Sequence, residues 1–142
     1  IESIALLGAA KTDLAVARGD LEMPGDARSV AILHKNVVVL WAPSGLFHKG
    51  GRKTPVSKIK EIGDLAGHRV GVIGRSLANV TLLRVILRES GVAADKVTIA
   101  QFGPEQINQM AHDESIDAYM SVGPLNSKVT SDAVASTALA RG

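Results

Sequence analysis

The stretch RVGVIGRSLANVTLLRVILRESG, residues 69–91, decides the fold of this chain. It opens with five residues, RVGVI, whose nearly continuous apolarity is typical of a strand buried on both faces. A Gly-Arg-Ser turn follows at residues 74–76, and residues 77–90 then carry apolar side chains at helical spacing. Gly91 suits the position just after a helix end. This order predicts one strand that leads directly into one helix.

The same alternation continues to the end of the chain. Short apolar runs at residues 97–100 and 116–122 predict two more strands. Helices are predicted over residues 104–112, where a proline suits the first turn, and over about residues 123–139. The second half therefore has the order β-α-β-α-β-α. This order predicts an α/β fold with a parallel sheet and right-handed crossovers.

The first half has apolar runs of strand length but no clear helical partner for them. Three strands are predicted there, at residues 13–17, 29–33 and 36–41. Residues 43–58 are rich in glycine, proline and basic residues and show no periodicity, which indicates a connecting segment.

The composition excludes several classes of function. The chain of 142 residues has no cysteine, which excludes disulfides, zinc thiolate sites and thiol catalysis. Its net charge is +2, its 16 Lys and Arg residues are scattered, and only 3% of its residues are aromatic, so neither a basic stripe nor a stacking platform for nucleic acid is expected. No stretch approaches the ~20 apolar residues of a membrane helix.

The turn after the first predicted strand of the second half is the strongest candidate binding site. Gly74, Arg75, Ser76 and Asn79 lie where a strand ends and a helix begins. Unpaired N–H groups and the positive end of the helix dipole favour a carboxylate there, and Ser76 and Asn79 add polar groups. The alternative is that Ser76 only caps the helix.

Two further residues are candidates because they follow predicted strand ends, where ligands of open parallel sheets gather. These are Arg18, in the sequence Arg-Gly-Asp, and Gly123, in the sequence Gly-Pro. A plain surface turn is an equal alternative for Arg18. A metal site is not expected, since the four histidines are scattered without acidic partners at ligand spacing.

Residues 74–78 also match the pattern G-x-S-x-A after a strand, which is close to the nucleophile elbow of serine hydrolases. A catalytic triad would need a later acid and then a histidine. His112 is the one histidine that follows Ser76, and it lies within a predicted helix. A hydrolase that uses Ser76 therefore remains the enzyme alternative.

Four phrases, taken in order, resemble a known family. They are DLAVARGDL at 13–21, IGDLAGHRVGVIGRSLAN at 62–79, LRESGV at 87–92 and SIDAYMSVG at 115–123. Their order is similar to that of periplasmic binding proteins of the second structural type, in which a phrase like DLAGHRVGV commonly opens the second lobe. DLAVARGD followed by VAIL resembles the TAXI branch, the extracytoplasmic receptors of TRAP transporters.

The resemblance implies a type II periplasmic-binding-protein fold with part of the first lobe and a parallel-sheet second lobe. The expected parts are a partial first lobe over 1–43, a connector over 44–66 and a second lobe over 67–142. The implied function is capture of a small, anionic organic solute, such as a carboxylate, for a membrane transporter. The implied location is the periplasm, with no cofactor and no catalysis.

The length of the chain and the two-lobed plan lead to two further expectations. A receptor of this kind is about twice as long as this chain, so the predicted strands of the first lobe would expose edges and promote self-association. The two-lobed plan is shared by effector-binding domains of transcription regulators, which is the third alternative.

Overall fold

The computed structural model describes residues 2–19, 21–33, 35–44, 48–49, 52–53 and 59–142. The chain divides into two compact units, Ile1–His34 and Lys35–Gly142. Residues 45–47, 50–51 and 54–58 of the expected connector lie outside the described residues. The expected lobe boundaries themselves stay a prediction.

The first unit contains one short helix, α1 (Glu2–Gly8), followed by turns and irregular chain. The strands predicted at 13–17 and 29–33 are wrong, since neither segment forms a ladder in the described chain. Val16 is 71% exposed and Val30 is 79% exposed. A β-branched run becomes a strand only where a neighbouring strand accepts its backbone hydrogen bonds, and the described part of this unit offers none.

The second unit holds all the strands of the described chain. Their bounds are β1 (Val37–Trp41), β2 (His48–Lys49), β3 (Arg52–Lys53), β4 (Arg69–Ile73), β5 (Thr98–Phe102) and β6 (Ala118–Gly123). The helices of the unit are α2 (Ala78–Glu89), α3 (Ile107–His112) and α4 (Lys128–Arg141), joined by 3-10 turns at Ile62–Leu65, Ala94–Lys96 and Pro104–Gln106. The β2–β3 pair forms a separate two-stranded ladder.

The main sheet has the order β1-β6-β4-β5. β4 pairs in parallel with both β5 and β6, which confirms the predicted parallel sheet and the mixed α/β class. β1 falls within the expected first lobe, and it pairs antiparallel with β6 of the main sheet. Its β-branched residues find their hydrogen-bonding partner at this edge of the sheet, where Val37 lies opposite Gly123.

Helices cover both faces of the sheet because its strands are apolar on both sides. On one face, Val70 and Val72 of β4 pack against Leu83 and Leu87 of α2, all fully buried. On the other face, Ile73 joins a second cluster that α3 and α4 complete, with Phe102, Ile107, Met110, Ile116, Tyr119 and Ala133. Each buried leucine stabilises the fold by about 1.5–3 kcal/mol.

The helices end and begin largely where the sequence predicts. α2 is followed by Gly91, whose φ of +75° is left-handed, and the N–H of Val92 donates to the carbonyl of Leu87 over 2.8 Å. This is the expected C-terminal stop. α4 begins later than predicted, at Lys128, because the Ser127 hydroxyl caps it by accepting from the N–H of Thr130.

Trp41 attaches β1 to the rest of the unit. Its ring stacks on that of Tyr119, with centroids 5.6 Å apart, and its Nε1 donates to the Thr137 hydroxyl of α4 over 2.9 Å. The tryptophan therefore contributes to core packing.

Candidate functional site

The three parallel strands end at one edge of the sheet. β4 ends before Gly74, β5 ends before Gly103, and β6 ends with Gly123. Because parallel strands share their direction, these three glycines begin the loops along the carboxyl edge, where ligands of open α/β sheets bind. β1 runs the other way and enters the sheet at this same edge.

Position 74 requires a glycine for two reasons, its backbone conformation and the close approach of a neighbouring side chain. Its φ is +149°, a conformation that side chains disfavour, and a Cβ at this position would lie 2.6 Å from Asn79 Nδ2. The same Nδ2 donates to the carbonyl oxygen of Ile73 over 2.7 Å. Asn79, in the first turn of α2, therefore holds the turn that precedes this helix.

Asn79 has a different role from the one expected for it. Its side chain is buried, with 8% of the residue exposed, and its amide nitrogen is bonded to the strand carbonyl. It positions the turn from within the protein. A contact between Asn79 and a solute stays a prediction.

Ser76 does not cap α2, so the capping alternative is wrong. The N-cap of the helix is Leu77, and no side chain makes a capping hydrogen bond there. Ser76 is exposed, and its hydroxyl has no hydrogen-bond partner among the described residues. The first N–H groups of a helix lack intrahelical acceptors, so this turn presents donors without a side-chain acceptor at the cap position.

Gln101, near the end of β5, is hydrogen-bonded to the loop that follows β4. Its Nε2 donates to the carbonyl oxygens of Gly74 and Ser76, over 2.6 and 3.1 Å. The apolar run that predicts this strand ends at Ala100, so Gln101 was not among the predicted site residues. A polar residue at a strand end beside a glycine turn was the available signal.

Glu105, in the 3-10 turn after β5, was also missed. Its Oε2 accepts from an Arg75 guanidinium nitrogen over 3.3 Å, and both side chains are largely exposed. Its own backbone N–H, and then Arg75, hold the pKa of the Glu105 carboxyl below its usual 4.5. Arg75 was expected to face an anionic solute, and it already has a carboxylate beside it.

An open depression lies between these two loops. It is lined by Gly74, Arg75, Gln101, Gly103, Glu105 and Gln106. Two of the lining residues are bonded to each other, since the Gly103 N–H donates to the Gln106 Oε1 over 2.9 Å. The structure thus brings Gly74 and Arg75 together with residues of the next loop.

The remaining two candidates are Gly123 and Arg18. Gly123 ends β6, is buried and leaves room for Ser127, whose Oγ would lie 2.9 Å from a Cβ on the glycine. Arg18 belongs to the first unit, and no described residue before it lies in a strand, so the strand-end argument for Arg18 is wrong. Ligand contacts of both residues stay predictions.

The geometry gives no support to a hydrolase built on Ser76. His112 is the last residue of α3, which carries the chain from the carboxyl edge of β5 back to the start of β6. Its end therefore lies towards the amino edge, away from Ser76. The His112 ring is also engaged, since Nδ1 lies 2.8 Å from the carbonyl oxygen of Asn108.

The described residues contain neither a candidate metal centre nor a candidate membrane-spanning helix. No group of three or more histidine, aspartate or glutamate side chains is placed to hold a metal ion. Within the same residues, none of the helices has both the length and the apolarity to cross a bilayer.

The structure is a mixed α/β sheet with loops gathered at its carboxyl edge, which is the edge where open α/β proteins bind their ligands. A family model described as NMT1/THI5 like matches residues 50–131, more than half of the chain. The chain belongs to this NMT1/THI5-like family, which is a periplasmic-binding-protein-like family. Searches of curated proteins and of solved structures returned no match.

The family suggests an extracytoplasmic solute-binding role in general terms. As a family of binding proteins, it is consistent with a chain that is not an enzyme.

Proposed function

We propose that the chain is part of a periplasmic receptor of the TAXI type, which captures a small, anionic organic solute for a TRAP transporter. Support for this branch comes from the phrase DLAVARGD at residues 13–20 and the later VAIL. Two lobes would close on the solute, and the closed form is the one that the membrane partner would bind. No covalent chemistry is involved.

The observation that carries the proposal is the exposed start of α2 at the carboxyl edge of the sheet. The Ser76 hydroxyl is exposed there, and the helix dipole adds about half a positive charge. Gly74 has no side chain, so a carboxylate can approach the backbone closely. Arg75 lines the depression beside this turn. These groups together favour an oxyanion over a neutral solute.

The test is an NMR titration of the ¹⁵N-labelled chain with monomethyl succinate, a singly charged carboxylate. We expect the amide signals of residues 76–79 to shift in a saturable way. Ser76→Ala should weaken this binding tenfold or more, because a hydrogen bond to a charged group contributes about 1.5–3 kcal/mol.

The matched control is Ser90→Ala, which removes an exposed hydroxyl from the opposite end of α2. It should leave the titration unchanged. The proposal is wrong if the acid leaves all amide signals at the carboxyl edge in place.

A further inference from the structure

The charges around the depression nearly cancel one another. Of its six lining residues, Arg75 and Glu105 are the two that carry charge. They lie 3.3 Å apart and neutralise each other, which leaves the α2 dipole as the remaining positive potential, equivalent to about half a charge. A site of this kind matches one negative charge on a solute and opposes a second.

The position of the Glu105 carboxylate depends on Gly103. A Cβ on Gly103 would lie 2.0 Å from Glu105 Oε1 and 2.7 Å from Oε2. The φ of Gly103 is −72°, which any residue can adopt, so the backbone does not require a glycine here. The space beside Gly103 is filled by the carboxylate, which also bonds to its own N–H and to Arg75.

We infer that Glu105 is the specificity-determining residue of the proposed site and restricts it to solutes with a single negative charge. This inference rests on the proposed function. Glu105 lines the same depression as Gly74 and Arg75, so its negative charge would repel a second carboxylate held in that depression. Glu105 therefore selects by repelling solutes with a second negative charge, while the start of α2 attracts the single acid group.

The experiment compares monomethyl succinate with succinate, which share a carbon skeleton and differ by one charge at pH 7. Both are titrated into the ¹⁵N-labelled chain, and the ratio of their dissociation constants is measured. The wild-type chain should prefer the monoester by about tenfold. Glu105→Gln should bring the ratio close to one by tightening succinate binding.

Gly103→Ala provides a second test that keeps the carboxyl group. The added methyl forces the Glu105 side chain away without backbone strain, so this variant should also lose most of the preference. Gly63→Ala is the control, since the nearest atom to its added Cβ is 3.6 Å away, and it should keep the wild-type ratio.

The possible results distinguish the role of Glu105 from the existence of the anion site. If both acids bind at the carboxyl edge and the ratio in Glu105→Gln equals that of the wild type, the role of Glu105 is wrong and the anion site stands. If neither acid binds to the wild type or to any variant, the proposed function fails and the charge selection fails with it.

Discussion

The Asn79 side chain donates a hydrogen bond from Nδ2 to the carbonyl oxygen of Ile73, over 2.7 Å and in a buried position. This bond joins the end of β4 to the first turn of α2, so it sets the shape of the loop between them. The donor comes from the helix and the acceptor from the strand. The loop at the candidate site is therefore held by a contact that no solute needs to touch.

Asn79→Ala should lower the free energy of unfolding by about 1–3 kcal/mol, because it leaves the buried carbonyl of Ile73 without its donor. Urea denaturation followed by circular dichroism measures the change. Ser76→Ala is the matched control, since that side chain is exposed and should change stability by less than about 0.5 kcal/mol. Equal stability of the two variants would contradict this role of Asn79.

Gly74→Ala should destabilise the chain by about 1–3 kcal/mol, the usual cost of a residue held in a disfavoured conformation. The added Cβ would also collide with Asn79 Nδ2, 2.6 Å away. In the double variant with Asn79→Ala the collision disappears, so the two effects should not add. Urea denaturation of the two single variants and the double variant measures this coupling. If the losses in unfolding free energy simply add, the Asn79 side chain is not what excludes a side chain at position 74.

Acid should destabilise the second unit through Asp64, whose Oδ2 accepts from the N–H groups of Lys60 and Glu61 over 2.9 and 3.1 Å. These bonds lower the pKa of the Asp64 carboxyl below its ordinary 3.8. Because the folded pKa lies below the unfolded one, this stabilisation is present above about pH 4 and is lost as the pH falls through the folded pKa.

Thermal melting from pH 7 to pH 2 tests the acid effect. Asp64→Asn should be less stable than the wild type at pH 7, and the difference should shrink below pH 4. Asp95→Asn is the control, an exposed aspartate in another 3-10 turn, and should follow the wild-type profile. If the melting temperature of Asp64→Asn depends on pH in the same way as that of the wild type, Asp64 is not a source of the acid sensitivity.

The core of the second unit could be predicted because its signals are local. Each apolar run of strand length in residues 69–123 is followed by a helical pattern or a glycine turn, and strands connected in this way lie parallel in one sheet. The predicted strands at 13–17 and 29–33 carry the same β-branched residues. They form no ladder in the described chain, because strand formation depends on a partner that composition does not reveal.

The candidate site could be predicted only in part, for a similar reason. Gly74 and the start of α2 follow from one contiguous stretch. Gln101 and Glu105 come into contact with that stretch only because β4 pairs with β5 in a register that places Ile73 opposite Phe102. No local pattern encodes this register, so the second loop of the site and the charge opposite Arg75 were missed.

Thr137→Val should destabilise the chain by about 1–3 kcal/mol, because the buried threonine is the acceptor for Trp41 Nε1, 2.9 Å away. The variant keeps the shape of the side chain and removes the hydroxyl. Urea denaturation monitored through the fluorescence of Trp41, the one tryptophan of the chain, measures the loss. Thr81→Val, at an exposed position of α2, is the control and should stay within about 0.5 kcal/mol of the wild type.

The chain should self-associate through the apolar side chains of its first unit. Val30 is 79% exposed and Ile32 is 76% exposed, and exposed β-branched segments pair readily with other chains. Sedimentation velocity should show a mass that rises with concentration. Val30→Lys combined with Ile32→Lys should lower the association, because charged residues oppose pairing, whereas Arg28→Lys, which keeps the charge nearby, should not. A concentration-independent monomer for the unsubstituted chain would show that these side chains do not drive association.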